Sequence, residues 1–214
     1  MSEQKFDMKN LSEFHLDALR EVGNIGAGHA AIAMTQFLNR STYMSIPKVA
    51  LDSVETISKF IKMPRDQELA IISSTTVSGL LYTLLVFLDN DSVQKIVDLM
   101  TKMPDSDSES LVELSPLFLS LIKETGSILL LKYVEALNYL LGANSFPSPP
   151  KLRIGPVSSL AKNELKQVGS DISSVLFIEC DVFTSERNIT VDLAIIPHKE
   201  TFDQFMGSLF GEEG

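Results

Sequence analysis

The second half of this chain repeats landmarks of the first half at a constant offset. Glu21-x-Gly23-x-Ile25 corresponds to Glu124-x-Gly126-x-Ile128, and Pro47-Lys48 corresponds to Pro150-Lys151, both displaced by 103 residues (21 to 124, and 47 to 150). A chain of 214 residues has the length of one ordinary domain. The repeat therefore predicts a single domain over 1–214 that is built of two related halves, about 11–103 and 110–212.

Each half opens with a long helical pattern. The first helix is predicted from an N-cap at Ser12 to about Leu38, and the second from an N-cap at Ser115 to Leu141, with Gly142 as its C-cap. Glycines inside the first helix are costly and indicate close approach by a neighbour. We interpret this stretch as one continuous helix, the alternative being a break near 26–28.

Apolar residues at helical spacing predict the buried stripe of the first helix. They are Leu11, Phe14, Ala18, Val22, Ile25 and Ile32. His29 interrupts this stripe, so we interpret it as a packing histidine rather than a catalytic one.

Shorter, β-branched stretches predict six strands. They cover 48–54, 69–77, 80–88, 151–157, 173–182 and 190–197. Shorter helices are predicted at 57–63, 92–102 (capped by Asp91), 158–167 and 200–209. The fold class is therefore α+β, a two-layer α/β sandwich with pseudo-two-fold internal duplication. Two long adjacent helices would pack on one face of a mainly antiparallel six-stranded sheet.

Charge and apolar patterning exclude several classes of function. A formal net charge of −10 repels polyanions, which disfavours nucleic acid and anionic membranes as partners. The N-terminal stretch lacks the apolar core of a signal peptide, and runs such as Leu84–Leu88 are too short to span a bilayer. Cys180 has no second cysteine to pair with, which indicates a reduced core thiol. We expect a cytoplasmic protein, and a monomer because duplication pairs the helices within one chain.

The first helix also carries a polar face that contains Glu21 and Asn24. These residues are about 300° apart, so they are neighbours, and Asp17, Gly28 and Ala31 continue the same face. A single exposed pair of this kind is most often merely solvated. Here, however, the glutamate recurs as Glu124, and asparagine is a poor helix former. The pair is therefore a candidate site.

These residues match a known signature. Asp17-x3-Glu21-x2-Asn24-x22-Pro47 fits the pattern [DS]-x3-E-x2-N-x22-P, so the chain resembles the CheC, CheX and FliY family of chemotaxis phosphatases over essentially its whole length. The segment L-R-E-V-G-N-I-G-A-G-H-A is most similar to the CheC branch. FliY carries an additional C-terminal flagellar-switch domain, for which we expect no room here, and CheX normally has one motif helix per chain.

The resemblance implies hydrolysis of the aspartyl phosphate on the response regulator CheY. It implies that Glu21 and Asn24 are catalytic: Asn24 would orient a water molecule, and Glu21 would dock on the lysine of the regulator's phosphate site. Partner-binding residues would be Asp17, Gly28, Ser120, Pro47 and Pro150. No cofactor or metal of its own is expected, because the histidines are scattered and the required Mg²⁺ belongs to the regulator.

The second half departs from the signature at one position. Glu124 is kept, but Ser127 replaces the asparagine, and a hydroxyl is shorter than a carboxamide. Leu129 and Leu131 stand where the first half has Gly26 and Gly28, and we expect their bulk to hinder docking. The second site, Glu124 with Ser127, is therefore predicted to be weakened.

Two other functions remain as alternatives. The chain could be a non-catalytic adaptor that binds the receptor deamidase CheD, phosphorylated CheY or both, and the resemblance implies a CheD contact around 158–167. Even as an enzyme it would be modulated by CheD. A structural switch component of the FliY type is disfavoured by the absent extra domain.

The glycines at 23–28 do not form a nucleotide loop, since no strand precedes them.

Overall fold

A computed structural model describes residues 12–52, 67–101, 110–111, 114–157, 159–160, 163, 175–184 and 188–210. The helices are α1 (Glu13–Leu38), α2 (Asn90–Thr101), α3 (Pro116–Leu141) and α4 (Phe202–Phe210), with a short 3₁₀ turn at Lys199–Thr201 before α4. The strands are β1 (Thr42–Met44), β2 (Lys48–Asp52), β3 (Glu68–Thr75), β4 (Tyr82–Asp89), β5 (Lys151–Pro156), β6 (Val175–Thr184) and β7 (Asn188–Pro197).

Both long helices begin and end where the sequence predicts. The Ser12 hydroxyl accepts a hydrogen bond from the His15 backbone, the His15 ring accepts one from the Ser12 backbone, and α1 runs to Leu38 without a break. The Ser115 hydroxyl caps α3 by accepting a hydrogen bond from the Phe118 backbone, and Gly142 ends the helix in the left-handed conformation. The continuous first helix is therefore confirmed, and the break near 26–28 is excluded.

All strand pairs in the described sheet are antiparallel. The order is β1-β6-β7-β4-β3-β5, and β2 pairs with β6 beside β1. The α+β class is confirmed, but the described sheet has seven strands rather than six. The additional strand is β1, which has only three residues, too few for an alternating pattern to be recognised.

The two halves of the sheet exchange their edge strands. β2, from the first half, pairs with β6 of the second, and β5, from the second half, pairs with β3 of the first. The central contact joins one hairpin strand from each half, β4 and β7. This arrangement is compatible with a pseudo-two-fold duplication. The single-domain division into repeats at 11–103 and 110–212 stays a prediction.

The long helices pack against each other and cover one face of the sheet. A large apolar cluster joins both helices to sheet residues such as Ile72, Leu84 and Val86. Alternate residues of the same strands, among them Ile71 and Leu85, point to the opposite face and form a second buried cluster. The central strands are thus buried on both faces.

The predicted buried stripe of α1 is only partly correct: Val22 is buried and Ala18 and Ile25 are half-buried, while Leu11 lies outside the described residues. Phe14 and Ile32 are exposed, as is His29, which is therefore not a packing histidine. The face that is buried consists mostly of small residues: Leu19, Val22, Gly23, Gly26, Ala27, Ala30, Met34 and Leu38. A count of large apolar residues does not reveal this face, because its small side chains carry little apolar area. The face is buried because small side chains let neighbouring elements approach the helix closely.

The predicted cap of α2 is also wrong. An Asp89 carboxylate oxygen accepts a hydrogen bond of 2.7 Å from the Ser92 backbone, while Asp91 lies inside the first turn and pairs with Lys95. The predicted helix at 57–63 lies outside the described residues. So does most of the predicted helix at 158–167.

Gly26 and Gly28 provide a matched test of this packing. A Cβ added at Gly26 would stand 2.3 Å from the ring of Tyr133 on α3, whereas one added at Gly28 meets no described atom within 4 Å. We expect Gly26→Ala to lower the free energy of unfolding by about 1–3 kcal/mol through overpacking. Gly28→Ala should raise it by up to about 1 kcal/mol because alanine is the better helix former. Urea unfolding measures both changes, and equal changes would contradict the packing role of Gly26.

Candidate functional site

Four residues form an exposed polar face on α1, which we call the α1 ridge: Asp17, Glu21, Asn24 and Gly28. All four are exposed to solvent. Glu21 and Asn24 are separated by one step of three residues, about 4.5 Å along the helix axis and 60° around it. The helix thus presents a carboxylate and a carboxamide side by side, as the sequence predicts.

Glu21 and Asn24 make no side-chain hydrogen bond or ion pair with the described part of the chain. Glu13, Asp17 and Arg20 lie just before them, and Arg20 pairs with Asp17 at 2.6 Å and with Glu13 at 3.9 Å. Such exposed pairs contribute little to stability, so Asp17 can exchange its partner at low cost. Both groups at the centre of the ridge are available to an external partner.

Pro47, the proline of the signature, packs against the opposite side of the same helical turn. Pro47 is buried, and a Cβ added at Gly23 would lie 3.2 Å from Pro47 Cβ and 2.8 Å from Val49 Cγ2. Pro47 therefore supports the turn that carries Glu21 and Asn24. This corrects our assignment of Pro47 as a partner-binding residue, because its surface is already covered by the helix.

The two glycines that follow Asn24 have different roles. Gly28 lies open on the ridge, so the expectation that it leaves room for a partner stays a prediction. Gly26 is buried against Tyr133 and leaves room for α3 instead. The corresponding Leu129 is also buried, so only Leu131, which is 43% exposed, adds bulk to the second ridge.

The corresponding face of α3 differs in its chemistry. Glu124 is exposed, but the Ser127 hydroxyl donates to the Lys123 carbonyl at 2.6 Å, and the Ser120 hydroxyl donates to the Pro116 carbonyl at 2.9 Å. Both hydroxyls are thus bonded to their own helix, a common arrangement for serine inside helices. Pro150 is half-buried, unlike Pro47. The second ridge presents a carboxylate without a free amide beside it.

The three histidines lie in unrelated places. His15 belongs to the cap of α1, His198 lies 2.9 Å from the Thr83 hydroxyl, and His29 is exposed beside Gly28. Among the residues that the structure describes, no group of three or more His, Cys, Asp or Glu side chains could hold a metal ion.

Cys180 lies in β6 within the core beneath the helices. Burial raises the pKa of its thiol to about 12, so the thiol is protonated at neutral pH. A protonated, buried sulfur is a poor nucleophile, which agrees with its interpretation as a core residue.

Sequence reasoning missed the apolar residues that accompany the ridge. Phe14 and Ile32 lie within about 20° of Glu21 on a helix with 100° per residue, so both belong to the exposed face. The angular position of Phe14 and Ile32 follows from the sequence alone. It decides that both side chains are exposed, although both are apolar.

Comparison with known proteins supports the importance of this region. Residues 14–51, which hold Glu21, Asn24 and Pro47, match the model of the CheC-like family. The CheY-P phosphatase CheC of Bacillus subtilis is 29% identical over 204 residues, covering 93% of this chain and 95% of that protein. The predicted resemblance to the CheC-like family is confirmed.

Solved structures of two other proteins confirm the fold. FliY of Thermotoga maritima superposes with a TM-score of 0.72 at 21% identity, covering 95% of this chain and 99% of that one. The middle domain of FliM from H. pylori gives a TM-score of 0.64 at 9% identity, covering 92% and 99%. At such identities the likeness concerns the fold alone.

Within the described residues, no helix is long and apolar enough to cross a membrane.

The ridge residues should be dispensable for folding. Because Asn24 is exposed and forms no described side-chain bond, we expect Asn24→Ala to raise the free energy of unfolding by about 0.5 kcal/mol through helix propensity. Glu21→Ala should leave it nearly unchanged. Thermal and urea unfolding check both. A clear loss of stability in either variant would show that the residue serves the fold rather than a partner.

Proposed function

We propose that this chain dephosphorylates a CheY-type response regulator by hydrolysing its aspartyl phosphate. The observation that carries this proposal is the free pair Glu21 and Asn24, exposed on α1 within the segment that matches the CheC-like family. The name of the Bacillus subtilis relative, CheY-P phosphatase CheC, supports the substrate class.

The reaction requires positioning more than acid–base chemistry. A water oxygen forms a bond to phosphorus while the bond from phosphorus to the aspartyl oxygen breaks, releasing the regulator's carboxylate and inorganic phosphate. An acyl phosphate is reactive, so an in-line water contributes most of what is needed. The Asn24 carboxamide can accept from the water and donate to a phosphate oxygen, but it cannot act as a base.

Glu21 acts as the anchor for the partner. Its free carboxylate is suited to pair with the lysine of the regulator's phosphate site, one helical turn from the water that Asn24 orients. Glu13 and Asp17 add negative charge to the same face, against one cation, Arg20. A negative ridge favours approach to a cationic group and disfavours wrong registers.

No cofactor of this chain enters the proposal. The Mg²⁺ that supports acyl phosphate chemistry is expected on the regulator, and this chain contributes only protein groups.

The two ridges should contribute unequally. Ser127 is shorter than asparagine and already donates to the Lys123 carbonyl, so orienting a water would cost it that bond. Leu131 also replaces Gly28 with an exposed side chain. We infer that the α1 ridge carries the hydrolysis, and that Glu124 with Ser127 forms a weakened second site.

Single substitutions test this assignment. We expect Asn24→Ala to lower kcat for dephosphorylation roughly 100-fold, because an oriented donor and acceptor is lost at the reacting centre. Glu21→Ala should lower kcat/KM at least about tenfold by removing the anchor. Ser127→Ala should change little. Decay of a radiolabelled phospho-regulator, with the variants matched for concentration, measures all three.

Two results would overturn the proposal. If the unmodified protein does not accelerate decay beyond the regulator's own rate, with or without CheD, the chain is not a phosphatase of that regulator. If Asn24→Ala and Ser127→Ala lose activity equally, the assignment to the α1 ridge is wrong.

Binding of CheD is a separate proposal that follows from the family resemblance. Most of the segment around 158–167 lies outside the described residues, so no geometry is assigned to this contact. A pull-down with CheD and the Glu21→Ala variant distinguishes enzyme from adaptor. An enzyme modulated by CheD should lose hydrolysis and keep CheD binding, whereas a pure adaptor should show no hydrolysis before substitution. The monomeric state and cytoplasmic location stay predictions.

A further inference from the structure

Two large apolar side chains lie exposed along the α1 ridge. Phe14 is 60% exposed and Ile32 is 63% exposed, although each is a residue type that cores normally bury. Both lie within about 20° of Glu21 around the helix, roughly 10 Å before it and 16 Å after it along the axis. They therefore bracket the polar pair Glu21 and Asn24 from both ends.

A third exposed apolar side chain belongs to the segment that packs on α1. Ile46 is 87% exposed and immediately precedes Pro47, which packs on Gly23, the residue before Asn24. Because consecutive Cα atoms are about 3.8 Å apart, Ile46 lies next to the segment that packs on the turn of α1 carrying Glu21 and Asn24. We call Phe14, Ile32 and Ile46 the apolar rim.

The apolar rim is removed from water only when a partner covers it. Phe14 and Ile32 bracket the polar pair and Ile46 lies on the adjoining segment, so a partner that reaches the pair can also contact these side chains. Apolar contacts around a polar contact exclude water from it, which strengthens the enclosed hydrogen bonds and ion pairs. A site that orients one water benefits from excluding the others.

We propose that the apolar rim docks on the apolar surface around the acyl phosphate of the regulator and sets the affinity for it. This inference rests on the proposed function. In this proposal Glu21 and Asn24 act at the reacting centre. The apolar rim holds the regulator without touching the reacting atoms.

The occupant is the regulator rather than a second copy of this chain. Phe14 and Ile32 bracket Glu21 and Asn24 along α1, so a partner that covers both side chains also covers the proposed catalytic pair. A second copy would bring a chain of net charge −10 against a ridge that already holds Glu13, Asp17 and Glu21. It would also close the site to substrate.

The second ridge carries a different arrangement of exposed apolar side chains. Leu117, 61% exposed, stands at the position equivalent to Phe14, but Glu135 replaces Ile32 and pairs with Lys132, and Pro149 replaces Ile46. Among the three equivalent positions only Leu117 is a large exposed apolar residue, although Leu131, 43% exposed, adds another where the first ridge has Gly28. Leu117 therefore offers a control of matched exposure and position.

The test compares Phe14→Ser, Ile32→Ser and Ile46→Ser with the control Leu117→Ser. Dephosphorylation kinetics give kcat and KM, and calorimetric titration gives Kd for the regulator carrying beryllium fluoride, a stable mimic of the acyl phosphate. We expect each rim variant to raise KM and Kd roughly three- to tenfold with kcat retained, and the control to change neither. Unfolding curves should coincide, since all four side chains are exposed.

The outcomes separate this inference from the proposed function. If the unmodified protein is active but the rim variants keep their KM and Kd, the rim plays no part and the inference is wrong, while the phosphatase stands. An equal rise in Leu117→Ser would also contradict it, because general apolar adhesion would then explain the effect. If the unmodified protein neither hydrolyses nor binds the regulator, both proposals fail together.

Discussion

The close packing of the small-residue face of α1 determines how the rest of the molecule is arranged. Gly23 admits Pro47 and Val49 from the sheet side, and Gly26 admits the ring of Tyr133 from α3. Burial by small residues lets the neighbouring elements approach the helix backbone closely. Because this face is fixed inward, the opposite face, with Glu21 and Asn24, must point to solvent. The exposure of the candidate site is therefore a consequence of core packing.

The two long helices share length and capping but not surface chemistry. Both have 26 residues and a serine N-cap, and both contribute to the same core. Only α1 combines a free amide, an open glycine and two large exposed apolar side chains on one face. The core constrains the buried side of each helix through packing density, whereas the exposed sides were free to diverge. This explains how the two ridges can differ in their surface chemistry while both keep the glutamate, Glu21 in one and Glu124 in the other.

Much of the fold could be predicted from local signals. The caps at Ser12 and Ser115, the ends at Leu38 and Leu141, and the strands of β-branched residues follow from hydrogen-bonding and steric preferences of single residues. The buried side of α1 could not be predicted by the same means. It depends on which neighbour approaches, and glycine and alanine carry little apolar signal of their own. For this reason Phe14, Ile32 and His29 were assigned to the wrong side.

The sequence by itself determined the spacing of Asp17, Glu21, Asn24 and Pro47, the repeated glutamate, and the helical phase that makes the first three neighbours. Only the tertiary structure decided what each residue faces. In the folded chain Pro47 is buried beneath the turn rather than exposed, and Gly26 packs against the ring of Tyr133. The Ser127 hydroxyl donates a hydrogen bond to a carbonyl of its own helix. The physical reason is that spacing along a helix is set by local geometry, whereas burial is set by contacts between residues far apart in the chain.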